Sequence, residues 1–403
     1  MLRRGAGLFA KLASTRVRLS VSQEQRAEGT RRRLCLTETT DGRPLEITFD
    51  FLGESFPEAV VLDGFVNAVI FHAMGSGQDI RVDGPMSRSA LLNLATFQEA
   101  WCRWKPQLYK PVRIEPRSLI DDPPRAMPRS IAAFSGGADA IFTALRHAND
   151  PYQLKSVLMV HGFDVPTSRP DVFAKLLERQ RPFLDHLGLR PRVVRTNIAE
   201  LRIQDWFDSF LAQLSCCLHS YSHEFRFGLT GGGEPYDELV LPWGQNPCTD
   251  YLLSGDAFSI VHDGAAFSRT EKIAAIARDP VATRAIKVCW EAADLSTNCG
   301  VCEKCVRTRL NFKAVGIDNP ACFEGELTPA QIRAIHFSND SQRAGWRSIL
   351  ADAEGQGLDG EWLEAMRDCL SYDEKGLVGR AVAHLARGDL KLLSEKIRRK
   401  LSR

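Results

Sequence analysis

The chain lacks several features that would point to common classes of protein. It has no run of 18 apolar residues, so we expect no transmembrane helix. It has no strong excess of one charge, since 52 Lys and Arg against 50 Asp and Glu give a formal net charge of +2. That balance argues against bulk attraction to nucleic acid or a membrane surface. The basic N-terminus, residues 1–19, lacks the long apolar core of a signal peptide, and we interpret it as a fraying chain start.

A disulfide framework is also missing. The chain has eleven cysteines, an odd number, and only four of them lie close together. This distribution favours a reduced, cytoplasmic compartment. The length of 403 residues suggests two or three domains.

The first third of the chain predicts a small α+β domain. Period-two alternation over residues 17–51, with a turn signal at 40–42, indicates a sheet that contains a hairpin. Apolar residues at helical spacing predict helices over 57–74 and 86–104, with a short strand between them. The proline-rich stretch 114–129 is our candidate linker.

The middle of the chain alternates short buried strands with helices, which is typical of a parallel sheet with helices on both faces. The predicted strands are 130–134, 155–161, 191–197 and 226–232. The predicted helices between them are one that ends near 148 and two that cover 171–187 and 204–222. The sequence therefore predicts an α/β fold for this region.

The C-terminal region predicts only helices. Thr328 and Pro329 suit the cap and first turn of a helix, and the basic tail 391–403 predicts an amphipathic helix with a solvated face. We therefore expect an N-terminal α+β domain (1–125), an α/β domain (126–320) and a C-terminal helical region (321–403).

A glycine-rich loop separates the first strand of the α/β domain from the helix that follows. Gly136 and Gly137 let the backbone approach a ligand closely, and Ser135 adds a hydroxyl donor. The free N–H groups and positive dipole end of the helix point at the same place, so the loop predicts a phosphate cradle. Asp139 suits this position if Mg²⁺ bridges it to the phosphates. The alternative is a glycine-rich turn without a ligand.

This loop is not one of the two commonest nucleotide loops. No Gly-Lys-Ser/Thr follows it, which excludes a Walker A loop, and the dinucleotide fingerprint G-x-G-x-x-G is absent. The loop Ser-Gly-Gly-x-Asp between a strand and a helix therefore indicates another class of phosphate-binding loop.

A second signal is a cluster of four cysteines. Cys299, Cys302 and Cys305 form C-x2-C-x2-C, and Cys289 precedes them by ten positions. Four thiolates suit tetrahedral Zn²⁺ in a closed structural site, and Gly300 permits the tight turn. An iron–sulfur cluster is the alternative metal centre.

The Ser-Gly-Gly-x-Asp loop resembles that of the PP-loop (HUP-type) ATP pyrophosphatases. Together with Cys289-Trp290, the cysteine triplet and the basic residue Arg307, it resembles the QueC family of 7-cyano-7-deazaguanine synthases over about residues 129–315. A third match is the helix start FSRTEKIAAIA, where Arg269 stands in place of the family's lysine and Glu271 matches.

The resemblance implies an enzyme that cleaves ATP to AMP and diphosphate with Mg²⁺ and holds a structural Zn²⁺. It implies that Asp139 holds Mg²⁺ and that Arg269 or Lys272 neutralises the leaving diphosphate. The implied ATP-binding residues are Ser135, Gly136, Gly137, Ala138, Asp139, His161 and Gly162.

Two departures from the family affect what can be carried over. Ala140 replaces the final serine of the loop, which removes one hydroxyl contact worth about 0.5–1.5 kcal/mol. The family's segments that serve the deazaguanine substrate have only a faint echo within residues 229–256. The predicted pocket residues there are Gly231, Gly232, Trp243, which could stack on a planar ring, and Asp250, which could accept N–H donors. A buried tryptophan and a loop-capping aspartate are the alternatives.

We therefore expect a cytoplasmic, AMP-forming ligase or synthase. It would adenylate a small carboxylate, possibly 7-carboxy-7-deazaguanine, for attack by ammonia or an amine. Three alternatives stay open: a PP-loop enzyme that thiolates or amidates RNA, a QueC-like defence protein that joins a deazapurine to a protein or nucleic acid, and a non-catalytic nucleotide-binding subunit.

Two further predictions concern histidines and arginines outside these motifs. His219 and His223 lie one helical turn apart, and a metal site there is less expected than a surface or core pair. Arg31, Arg32 and Arg33 form a basic run that we expect on a solvated edge strand rather than on a nucleic-acid surface.

Overall fold

The computed structural model describes residues 16–39, 42–292 and 294–374. Two compact units account for them. The first unit lies within residues 16–135, 139–232 and 241–265, and the second within residues 136–138, 233–240 and 266–374.

A mostly parallel ten-stranded sheet forms the first unit. Six of its strand pairs are parallel and three are antiparallel. The strands are β1 Arg16–Arg26, β2 Gly29–Thr37, β3 Leu45–Leu52, β4 Asp79–Ser87, β5 Ile114–Ile120, β6 Ser130–Ala133, β7 Leu154–His161, β8 Arg190–Thr196, β9 Phe227–Gly231 and β10 Ser259–Asp263. The sheet order is β10-β9-β6-β7-β8-β3-β2-β1-β4-β5. The predicted α/β class with a parallel sheet is confirmed.

The strands from β6 to β10 are all parallel, and the chain enters them at the middle. From β6 it proceeds to β7 and β8 on one side, then returns to β9 and β10 on the other. The helices between successive strands are α3 Ala138–His147, α4 Pro170–His186 and α5 Trp206–His219. The strand order therefore reverses between β6 and β9, and ligands of open α/β sheets bind at the carboxyl ends of strands at such a point.

The N-terminal strands belong to the same sheet. β3 pairs antiparallel with β8 through Phe49 and Phe51, whose side chains are fully buried. Helices α1 Asp63–Ser76 and α2 Arg88–Trp104 follow β3 and β4, and α1 packs against α5. The predicted domain boundaries stay a prediction. One continuous sheet contains both the strands before residue 125 and the strands after it.

Three local predictions in this region are wrong. The candidate linker contains β5, an edge strand in which Pro116 is tolerated because only one side of the strand is paired. β2, which carries Arg31 to Arg33, is not an edge strand, because β1 and β3 pair with its two sides. α1 begins at Asp63, after Pro57, rather than at the predicted residue 57.

The second unit contains helices around a separate core. The helices are α6 Arg269–Ala277, α7 Pro280–Ala285, α8 Glu303–Ala314, α9 Pro329–Arg333, α10 Asp340–Gly355 and α11 Glu361–Glu374. The helix start predicted at Thr328 is confirmed: its side chain and that of Gln331 form a capping box. Leu310, Trp346 and Met366 are fully buried in the core.

Other predictions fall outside the described residues. These are the chain start, the turn residues Thr40 and Asp41, and the basic tail 391–403. Within the described residues, no helix combines the length and the apolar character that a membrane span requires.

Candidate functional site

The four predicted cysteines converge in the second unit. Their Sγ atoms all lie within 4.8 Å of one another. The Sγ atoms of Cys289 and Cys302 are 3.8 Å apart, and those of Cys299 and Cys305 are 3.9 Å apart. Four sulfurs at about 2.3 Å from one tetrahedral zinc ion would be separated by about 3.8 Å. The cluster is therefore positioned to bind a single metal ion such as zinc.

Backbone geometry around the cluster holds the thiols in this arrangement. Gly300 has a φ of 76°, a left-handed conformation that lets the chain turn back between two cysteines. The N–H of Cys302 donates to Cys299 Sγ at 3.3 Å, and the N–H of Glu291 donates to Cys289 Sγ at 3.4 Å. Cys302 caps α8, so the positive end of the helix dipole favours thiolates there.

Asn298 joins the two segments that carry the cysteines. Its Oδ1 accepts hydrogen bonds from the N–H groups of Val288 and Cys289, at 2.9 and 3.3 Å. Its Nδ2 donates to the carbonyls of Ile286 and Cys322, at 2.9 and 3.0 Å. Sequence reasoning missed this positioning residue, although an asparagine directly before the first cysteine of the triplet is a signal of a turn.

The cluster has a cationic neighbour. Arg309 is buried, and its Nη1 lies 3.3 Å from the position that a Cβ at Gly300 would take. A positive charge here offsets part of the negative charge that four thiolates bring to a divalent ion. The hydrogen bond from the Cys305 thiol lowers the pKa of Cys302.

The predicted phosphate loop lies between β6 and α3. The N–H of Phe134, after β6, donates to the carbonyl of Leu158 at 2.9 Å, and Gly136 has a φ of 76°. α3 then begins at Ala138 and has Asp139 in its first turn. In the second unit, the carbonyl of Gly136 accepts from the N–H of Lys287 at 2.8 Å, two residues before the first cysteine.

The end of β9 lies against the start of α3 in the first unit. A Cβ added at Gly231 would stand 2.7 Å from the carbonyl oxygen of Asp139 and 3.0 Å from Thr143 Oγ1. No side chain fits between the two backbones, so glycine is required here. The structure thus brings together two predicted site residues, Gly231 and Asp139, at the point where the strand order reverses.

A buried pair of side chains, Asp250 and His262, lies next to Gly232, and the sequence predicted only Asp250. Asp250, predicted as a substrate residue, accepts from His262 Nδ1 at 2.6 Å and from the N–H of Asn246 at 2.8 Å. The His262 side chain is 7 % exposed, and its Nε2 would be 2.1 Å from a Cβ at Gly232. Burial raises the pKa of Asp250 to about 6.

His262 lies on β10, a strand that the sequence pattern did not reveal. The Nε2 atom of His262 is buried and has no hydrogen-bond partner among the described residues. The run Ser259–Asp263 contains a histidine and ends in an aspartate, which weakened its strand signal.

The remaining predicted residues of the first unit have structural contacts. Trp243 is half-buried, with its ring 5.7 Å from that of Phe207. His161 ends β7; its Nε2 lies 2.8 Å from the carbonyl oxygen of Pro166, and burial lowers its pKa. A Cβ at Gly162 would be 1.8 Å from the carbonyl oxygen of Thr196, so this position also requires glycine. Their ligand roles stay predictions.

Arg269 and Lys272 both lie on α6, in the second unit. Lys272 is fully buried, and Arg269 Nη2 would be 3.1 Å from a Cβ at Gly233. Ser268 and Glu271 form a capping box that starts this helix. The proposed diphosphate role of Arg269 and Lys272 stays a prediction.

The histidine pair on and after α5 is not part of a metal cluster. His219 is buried, and its Nε2 lies 2.8 Å from the carbonyl oxygen of Leu253. The four-cysteine group is the only set of three or more candidate ligands found among the described residues.

Comparison with protein-family models, with curated proteins and with solved structures gives no significant match to this chain. Its function must therefore be argued from the site itself.

Proposed function

We propose that this protein is an ATP-dependent ligase or synthase that forms AMP and diphosphate while activating a carboxylic acid. The observation that carries the proposal is the loop Ser135–Asp139, which follows a buried parallel strand and opens a helix where the strand order reverses. Nucleotide phosphates bind at such helix starts because the free N–H groups and the helix dipole both favour negative charge.

Several features support a phosphate ligand at this loop. Gly136 has a left-handed backbone, and α3 is ten residues long, so the positive end of its dipole favours an anion at the start of the helix. Asp139 in the first turn repels phosphate unless a cation lies between them. Mg²⁺ held by Asp139 would neutralise charge on the phosphates of ATP.

The proposed reaction has two steps. A carboxylate oxygen of the acid attacks the α-phosphorus of ATP, which forms an acyl adenylate and releases diphosphate. A nitrogen nucleophile then attacks the acyl carbon and releases AMP. Ammonia would give an amide, which further activation could convert to a nitrile; an amine on a macromolecule would give a conjugate.

The dyad of Asp250 and His262 has a place in this scheme. An amine attacks only when it is unprotonated, and an imidazole can accept its proton. His262 Nε2 has no partner among the described residues, and Asp250 holds the opposite ring nitrogen. We propose these two residues as proton acceptor and positioning group beside Gly232.

The test is mass spectrometry of the full chain with Mg-ATP, 7-carboxy-7-deazaguanine and ammonium. We expect AMP and an amide or nitrile in the wild type and no AMP in Asp139→Asn. The matched control is Asp171→Asn, because Asp171 is also an acid in the first turn of a helix, α4, but pairs with Arg169 at the surface. It should keep wild-type turnover.

The outcomes separate the candidate functions. AMP without a new small molecule would keep the activation chemistry and point to another acid or to a macromolecular acceptor such as RNA or protein. No AMP from the wild type with any acid tested would refute the enzyme proposal.

One observation favours a second candidate, a non-catalytic nucleotide-binding subunit. Ala140, which is buried, offers no hydroxyl to the phosphate loop. A subunit of this kind would bind ATP without turning it over, and Asp139→Asn would weaken that binding while producing no change in AMP.

A further inference from the structure

The basic run on β2 divides between the two faces of the sheet. Arg31 pairs with Asp50, and Arg33 pairs with Glu24. Arg32 points to the opposite face, as strand alternation requires, and is only 3 % exposed. It forms no ion pair with any carboxylate of the described residues.

Among the described residues of the first unit, Arg32 differs in this respect from the other buried arginine, Arg192. Arg192 is buried to the same degree, and it contacts Glu54 and Glu224, each at 2.6 Å. Burial without such a partner lowers the pKa of Arg32 to about 10, so the guanidinium still carries its charge at neutral pH. Charged groups are rarely buried unless they are paired, and this one lacks its counter-ion.

The guanidinium of Arg32 is held rigidly by its own chain. Its Nε donates to Gln23 Oε1 and its Nη2 to the carbonyl of Pro57, both at 2.8 Å. The group also lies over the rings of Phe51 and Phe56, with centroid distances of 5.5 and 5.3 Å. Nη1 makes no hydrogen bond to any described residue, which leaves its two N–H donors for another molecule.

Arg32 lines a cleft of about 240 Å³ in the first unit. The start of α1 contributes Gly64 and Phe65, and the region that ends α5 contributes Ser220 and Ser222. Asp63, the acid in the first turn of α1, accepts hydrogen bonds from Ser87 through both carboxylate oxygens.

The chemistry of the walls defines the ligand class. The cleft is lined by two arginines, the buried Arg32 and the exposed Arg125, by hydroxyl groups and apolar surface, and by one acid, the exposed Glu58, which makes no ion pair with Arg32. Arg125 pairs with Asp122, 3.4 Å away. The volume lies below the range of about 300–1,000 Å³ that is usual for drug-sized ligands. The volume of the cleft therefore favours a small metabolite.

We propose that this cleft binds a small metabolite through an oxyanion, a carboxylate or a phosphate, that accepts hydrogen bonds from Arg32 Nη1. The bound oxyanion supplies the missing counter-ion of the buried guanidinium. The proposal is independent of the ATP chemistry, because every residue that carries it lies outside the phosphate loop and the cysteine cluster.

The first test is anomalous diffraction from crystals of the full chain soaked in selenate, a tetrahedral oxyanion. We expect a selenium peak within hydrogen-bond distance of Arg32 Nη1. Competition with phosphate in one soak and with malonate in another identifies the preferred oxyanion. Absence of a peak at a concentration that labels other surface sites would overturn the proposal.

Variants then measure the same contact in solution by calorimetric titration with the better competitor. Arg32→Gln should weaken binding at least tenfold, and Arg33→Gln, on the same strand but paired at the surface, should change it less than twofold. Ser222→Trp fills the cleft and leaves the contacts that hold Arg32 in place. If Arg32→Gln does not fold, Ser222→Trp tests whether the oxyanion binds in the cleft. Binding unchanged in Ser222→Trp would place the anion elsewhere and refute the proposal.

Discussion

Replacing Cys305 by serine tests the metal centre most directly. The Cys305 side chain is fully buried, and its Sγ lies 3.9 Å from that of Cys299. A serine there removes one of four thiolates and leaves a hydroxyl that cannot complete a tetrahedral thiolate site. In small zinc-binding peptides the ion contributes about 10–16 kcal/mol to folding, so losing most of its affinity should destabilise the second unit strongly.

The matched control is Cys369→Ser. Cys369 is also buried in the second unit, 4 % exposed, but it lies on α11 and belongs to no group of candidate metal ligands among the described residues. Its replacement brings only the cost of burying a hydroxyl, about 1–3 kcal/mol. The difference between the two variants therefore isolates the contribution of the metal.

The assay combines metal analysis of the purified protein with thermal unfolding in the presence and absence of a chelator. We expect near-stoichiometric zinc in the wild type and in Cys369→Ser, none in Cys305→Ser, and a chelator effect only where zinc is present. Near-stoichiometric iron would identify an iron–sulfur cluster instead. If the wild type contains neither metal, or if the two variants unfold alike, the reasoning is wrong.

Three other changes have defined outcomes. Burial raises the pKa of Asp63 to about 6 from 3.8, so its contribution to the free energy of unfolding falls by about 3 kcal/mol as pH rises from about 4 through 6. Asp63→Asn should remove this loss in urea titrations across that range, and an unchanged pH profile would contradict it. Gly232→Ala forces a methyl group against His262 Nε2 and should cost about 1–3 kcal/mol, whereas Gly75→Ala, with open space around it, should be neutral or stabilising. Ala140→Ser should raise AMP formation about two- to tenfold by adding one hydrogen bond, and no change would mean that a hydroxyl there reaches no phosphate.

Local sequence signals determined much of this protein. A buried strand, a glycine turn and a helix start are encoded in neighbouring residues, and the structure has β6, the loop and α3 in that order. The four cysteines were predicted as one cluster because three of them lie within seven residues. Helix starts such as Thr328 were predictable because a cap acts on its own first turn.

Tertiary structure alone decided the features that join distant segments. The pairing of β3 with β8 unites strands that are about 145 positions apart, and no local pattern specifies such a partner. β5 and β10 have weak strand signals and become strands because a neighbour pairs with them.

The same reason explains the residues that sequence reasoning left unassigned or placed wrongly. His262 meets Asp250 only after β10 joins β9, and Arg32 differs from Arg31 and Arg33 only through the face on which it is buried. Residue type and spacing determined which chemistry was present in the chain. Burial and partner choice, which depend on contacts between segments far apart in sequence, decided which charged groups remained without a partner.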